Sequence, residues 1–166
     1  IRAVLNLSQQ LIESAKVVAT GEENIIASET AHWLLLITVH ILNDLNAPTV
    51  IPASLNFVSI NCQNAEEDPV LVLGQALLAF VNQIHSFVKE KGAAMSPLLA
   101  KSEMWALKSW LRAYGFPAVG RGLSPKLTER FMGSSGDEIV EFVIIHTGTV
   151  LHAWGHDHSV FDSAVE

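Results

Sequence analysis

A single cysteine, Cys62, stands in this 166-residue sequence, so no disulfide can close within it and a scaffold stapled by disulfides is excluded. A reducing compartment is the simpler expectation. Basic residues are also scarce: 10 Lys and Arg against 17 Asp and Glu give a formal charge of −7, which disfavours a phosphate backbone and favours basic protein surfaces. No nucleic acid partner is expected. Wholly apolar runs are short, as at residues 33–37 and 70–73, against the roughly 20 residues that a membrane span requires. No membrane span is expected either.

Catalytic motifs are missing too. No nucleophile elbow or Ser/His/Asp order is present, and Gly115-Phe-Pro-Ala-Val-Gly-Arg-Gly122 has scattered glycines without phosphate-loop spacing. The sequence reads as non-enzymatic and without a cofactor.

What is present is apolar material at helical spacing. Hydrophobic residues make up 49% of the chain against 16% charged, ample for a core. Leu73, Leu77, Phe80, Ile84 and Phe87 recur at three and four, as do Ala100, Met104, Leu107, Leu111 and Tyr114. Strand alternation is lacking, so the fold class is all-α. The spacing predicts long helices at about 1–19, 29–44, 69–91, 97–114 and 137–155, with minor turns near 52–60 and 123–131. Residues 33–42 are apolar nearly all round, which asks for neighbours on several sides and marks an inner helix of a stack.

Punctuation supports these limits. Ser96 before Pro97 is an N-cap with proline at the first helical position, and Ser135-Gly-Asp-Glu138 has capping-box spacing. Gly92 ends one helix, and Gly115 with Pro117 ends the next. The five residues 92–96 then force an antiparallel hairpin. Hairpins at about 1–44, 69–114 and 137–166 follow, with long connections at 45–68 and 115–136. The expected architecture is an α-solenoid of stacked antiparallel hairpins, HEAT-like. Because the sequence opens at Ile1 without methionine and closes on what reads as a new helix, it is expected to be cut from a longer superhelix.

His32-Trp-Leu-Leu-Leu-Ile-Thr-Val-His-Ile-Leu-Asn-Asp44 followed by Ile51-Pro-Ala-Ser54, and Pro97-Leu-Leu-Ala-Lys101 leading into Trp105-Ala-Leu-Lys-Ser-Trp-Leu-Arg-Ala-Tyr114, resemble the mid-region of exportins, nuclear transport receptors of the importin-β superfamily. The resemblance spans roughly residues 25 to 160 and rests on packing motifs. It implies a superhelix that wraps GTP-bound Ran together with a protein cargo, contacts nucleoporins, and shuttles between nucleus and cytoplasm. A HEAT-like scaffold of another pathway shares every architectural feature.

Four features compete for function. The acidic run Glu66, Glu67 and Asp68 is the candidate contact for a basic partner, against a role confined to the start of the following helix. His146, His152, His156 and His158 suggest zinc, because His152 and His156 at i, i+4 share a helix face. A structural zinc site needs four ligands and no cysteine lies near, so a helix end at Gly155 is the preferred reading; a self-contained bundle with a metal or apolar ligand site stays as the alternative. Glu29-Thr-Ala-His32 has the spacing of a di-iron helix but lacks its second copy, leaving Glu29 as a first-turn carboxylate. Trp33 and Trp105 are expected to fill the core between hairpins, and Trp110 and Trp154 are the less decided pair.

Overall fold

The computed structural model describes residues 2–20, 25–43, 52–64, 66–115 and 136–165. Among them every regular element is helical: α1 (Arg2–Ala19), α2 (Ile25–Leu42), α3 (Ala53–Asn61), α4 (Pro69–Lys91), α5 (Pro97–Trp110) with a π-helical turn at Leu111–Gly115, α6 (Gly136–Trp154) and α7 (His158–Val165). The fold is all-α. The expected turn near 123–131, the Ser135 cap and Pro117 lie outside the described residues.

Local chemistry fixes the ends of α4. The Asp68 carboxylate accepts the amides of Val70 and Leu71 at 2.9 and 3.4 Å, satisfying donors that have no partner within the helix. At the other end Gly92 takes φ +65°, a backbone state open to glycine, and its amide reaches the Val88 carbonyl at 2.7 Å. Ser96 occupies the N-cap position of α5 with Pro97 behind it, yet its hydroxyl makes no capping bond. Glycine is required again after α6: a Cβ on Gly155 would stand 2.6 Å from the Leu151 carbonyl oxygen.

The helices pack in two rows. α1, α4 and α6 lie side by side, as do α2, α5 and α7, and the rows are joined where α1 meets α2, α4 meets α5 and α6 meets α7. Neither α1 nor α2 packs to a comparable extent on α6 or α7. The core follows α4, whose Leu73, Leu77, Phe80 and Ile84 are fully buried, and α5, whose Ala100, Met104 and Leu107 face it. α3 packs on α4.

Two expectations need correction. α2 begins at Ile25, so Glu29 lies in its second turn and cannot complement the helix N-terminus. The same helix buries Ala31, Leu35, Thr38, Val39 and Leu42 but leaves Ile26, Trp33 and Ile37 exposed. Trp33 is 55% exposed because it stands two residues from both Ala31 and Leu35, half a turn away from the buried stripe. Trp105 is half-buried, its ring edge-on to His40 at 5.6 Å. The deeply buried tryptophans are Trp110 and Trp154.

Candidate functional site

The acidic run is divided by the fold. Asp68 is buried: besides capping α4 it accepts the Ser59 hydroxyl at 2.6 Å, fastening α3 to α4. Glu66 and Glu67 sit in the exposed turn just ahead, where the Asn64 side chain accepts the Glu66 amide and its carbonyl the Glu67 amide. Only these two carboxylates are open to a partner.

The histidines separate in the same way. His152, His156 and His158 are exposed, and Asp157 is occupied at the head of α7, accepting the amides of Ser159 and Val160 and the Ser159 hydroxyl. That hydroxyl holds the Asp157 carboxyl below its ordinary range. His32 is likewise engaged, its Nδ1 2.6 Å from the Ser102 hydroxyl. Since that hydroxyl donates to the Leu98 carbonyl at 2.8 Å, the His32 Nδ1–H is the donor to Ser102, and α2 is pinned to α5. Glu29, a turn away, is exposed and does not share this contact. Among the described residues no three of His, Cys, Asp and Glu come together as a metal-ligand set.

His146 instead turns inward and forms an ionisable cluster in the core. Its Nε2 lies 3.3 Å from Oε1 of Glu103 on α5, and both side chains are fully buried. Its Nδ1 lies 3.3 Å from Nδ1 of His85 on α4. Phe142, one turn earlier on α6, stacks on His146 at 5.9 Å and meets His85 edge-on at 5.6 Å. One imidazole thus joins α4, α5 and α6 between a carboxylate and a second imidazole.

The electrostatics are strained. The Glu103–His146 contact is too poorly aligned for a hydrogen bond, so among the described residues both Glu103 oxygens and His146 Nε2 are buried without such a partner. Leaving groups of this kind unsatisfied costs about 1–3 kcal/mol each, more when charged. Burial pushes the Glu103 carboxyl above its ordinary value, with the facing His146 opposing. Burial also pulls His85 below its ordinary value, helped by the charges of His146 and Lys89. The cluster can store and exchange a proton; among the described residues it presents no nucleophile.

No local motif announced it. Glu103 stands 18 residues from His85 and 43 from His146, and the available signal was phase alone, a glutamate three residues after Ala100 and four before Leu107 in the buried stripe of α5.

Two clefts flank α6. The larger, about 690 Å³, lies between the end of α4 and α6, bordered by Lys89, Gly92, Ile145, Gly148, Thr149 and His152. The smaller, about 230 Å³, lies where α5, α6 and α7 meet, beside Met104, Leu107, Val143 and Ala164.

Comparison with protein families, with curated proteins and with solved structures finds no match to this chain.

Proposed function

We propose that this chain is a segment of a Ran-dependent nuclear export receptor, a non-enzymatic scaffold of HEAT-like hairpins that binds protein cargo and GTP-bound Ran, with exportin 4 the receptor whose tryptophan blocks its sequence resembles. The observation that supports the architecture is that α1 and α2 pack on α4 and α5, and α4 and α5 on α6 and α7, while α1 and α2 meet α6 and α7 little if at all. Nearest-neighbour contact of that kind is how solenoids bury their cores. In this reading the protein shuttles between nucleus and cytoplasm, nucleoporins are further partners, and Glu66 and Glu67 belong to an acidic wall facing a basic partner.

α2 and α4 are both long and apolar enough to cross a membrane by length and composition. In this reading both pack on other helices, α4 on α1, α2, α3, α5 and α6, and α2 on α1, α4 and α5 with Ile26, Trp33 and Ile37 left exposed, and neither spans a bilayer.

A second reading, a self-contained helical bundle, is favoured by one feature. The outward side of α1 carries Arg2, Asn6, Gln9, Gln10, Glu13 and Lys16, all exposed, as a capping helix would. Pull-downs with the full-length protein decide between them: retention of Ran loaded with GTP and not with GDP supports the receptor, and equal binding or none removes it.

A further inference from the structure

We propose that the outward face of α2 is a dimer interface, on which a second copy of this chain packs antiparallel through Ile26, Thr30, Trp33 and Ile37. The inference stands apart from the receptor reading.

This face lies opposite the stripe that α2 buries. Ile26, Trp33 and Ile37 are 76, 55 and 45% exposed, and with the exposed Thr30 they form a line along one side of the helix. Their spacing of four, three and four residues is the alternation by which two helices keep a seam in contact. It also reads the same from either end. A two-fold contact uses one patch twice and so requires a self-complementary pattern. With the copies antiparallel about the point between Ala31 and His32, Ile26 falls across from Ile37 of the other copy, and Thr30 across from its Trp33. Small meets large at the centre, and isoleucine meets isoleucine at both ends. The indole is also held ready: His32, 2.6 Å from the Ser102 hydroxyl, meets the Trp33 ring edge-on at 5.2 Å. A pre-positioned tryptophan is the kind of residue that carries interface energy.

Charge selects a second copy. Each chain carries −7, so copies repel and approach closely only where charge is sparse. α2 has no Lys or Arg and one carboxylate, Glu29. In the antiparallel register the two Glu29 stand five residues apart along the axis, about 8 Å at 1.5 Å per residue, close to the Debye length in physiological salt. Their repulsion is therefore weak and screened. A lipid surface is disfavoured, because α2 lacks the Lys and Arg that hold an interfacial helix on anionic headgroups. A basic segment finds its exposed carboxylates at Glu66 and Glu67 instead. The seam from Ile26 to Ile37 is about 17 Å long, and a contact of that length lies near the floor of about 1,000 Å² for a specific interface, so the dimer is reversible with a micromolar dissociation constant.

Sedimentation of the whole chain across the micromolar range tests the proposal. A dimer should form, and it should tighten as salt rises from about 0.05 to 0.5 M, because screening removes repulsion between acidic copies. Trp33→Glu and Ile37→Glu, at exposed positions, should keep the helicity of the parent and weaken the dimer more than about tenfold. Phe57→Glu, at an exposed apolar position on α3, should leave the dimer unchanged. Spin labels read the register in the Cys62→Ser background: across the dimer, labels at Glu29→Cys should lie about 8 Å apart along the axis and labels at His40→Cys about 25 Å apart. A monomer at every concentration, a dimer that survives Trp33→Glu and Ile37→Glu or is lost in Phe57→Glu, weakening with salt, or equal distances at the two labels would each overturn the proposal.

Discussion

The Tyr114 hydroxyl donates to the Leu42 carbonyl at 2.6 Å, joining the π-helical turn after α5 to the last residue of α2. Burial lifts the phenol well above its ordinary range, so it stays a donor at any pH at which the protein is handled. Tyr114→Phe keeps the ring, which stacks on Trp110 at 6.1 Å, and removes this donor from a carbonyl at a helix end. The expected loss is about 1–2 kcal/mol, read as a lower urea midpoint with an unchanged slope. An unaltered midpoint would mean that water reaches Leu42.

The tryptophans should rank by burial. Trp110→Ala and Trp154→Ala, at 1% and 2% exposure, should each cost about 3–5 kcal/mol. Trp105→Ala, half-buried against His40, should cost about 1–3 kcal/mol, and Trp33→Ala under about 1 kcal/mol. Thermal melts of the four variants give the order. A large loss at Trp33 would show its open face to be covered in solution.

Asp68 and its two neighbours should behave as different kinds of residue. Asp68→Ala removes both the α4 cap and the Ser59 partner, an expected loss of about 2–3 kcal/mol. Glu66→Lys with Glu67→Lys should change stability by under about 0.5 kcal/mol. In the full-length protein the same pair should weaken a basic partner more at low salt than at high salt. Titrations at two ionic strengths check this, and equal losses at both would exclude a screened charge contact.

Opposite pH dependences should be separable within the buried cluster. His85 has its folded value depressed from the ordinary 6.5, so its contribution is present above that value and is lost as pH falls toward the folded one. Glu103 has its folded value raised from 4.5, so its contribution is present below 4.5 and is lost as pH rises through the folded one. Glu103→Gln should therefore leave a melting temperature that falls on acidification, and His85→Gln one that falls as pH rises from about 4.5. Melting curves across pH 4 to 8 read both. Identical profiles for the two variants would place the titration elsewhere.

Helix positions were legible because they are set by local rules. Glycine marked the end of α4 and proline the start of α5, and the three-and-four spacing from Leu73 to Phe87 identified a stripe that is buried throughout. The π-helical turn was not legible, since 97–114 reads as one continuous period while the regular helix ends at Trp110. Nor was the start of α2, where Ile25 and Ile26 precede the expected limit and carry no capping signal.

Sequence alone determined the all-α class, the helix break at 92–96 and which residues of α4 face inward, because those follow from period and caps over a few residues. Only the tertiary structure decided which side of an apolar helix is covered, since that depends on the placement of other helices: it left Trp33 in solvent and closed Trp110 and Trp154 inside. It likewise turned Asp68 into a buried cap by bringing Ser59 onto it. His146 shows the difference most plainly, for its meeting with Glu103 and His85 spans three helices, and contacts between distant segments are set by packing, which no local spacing encodes.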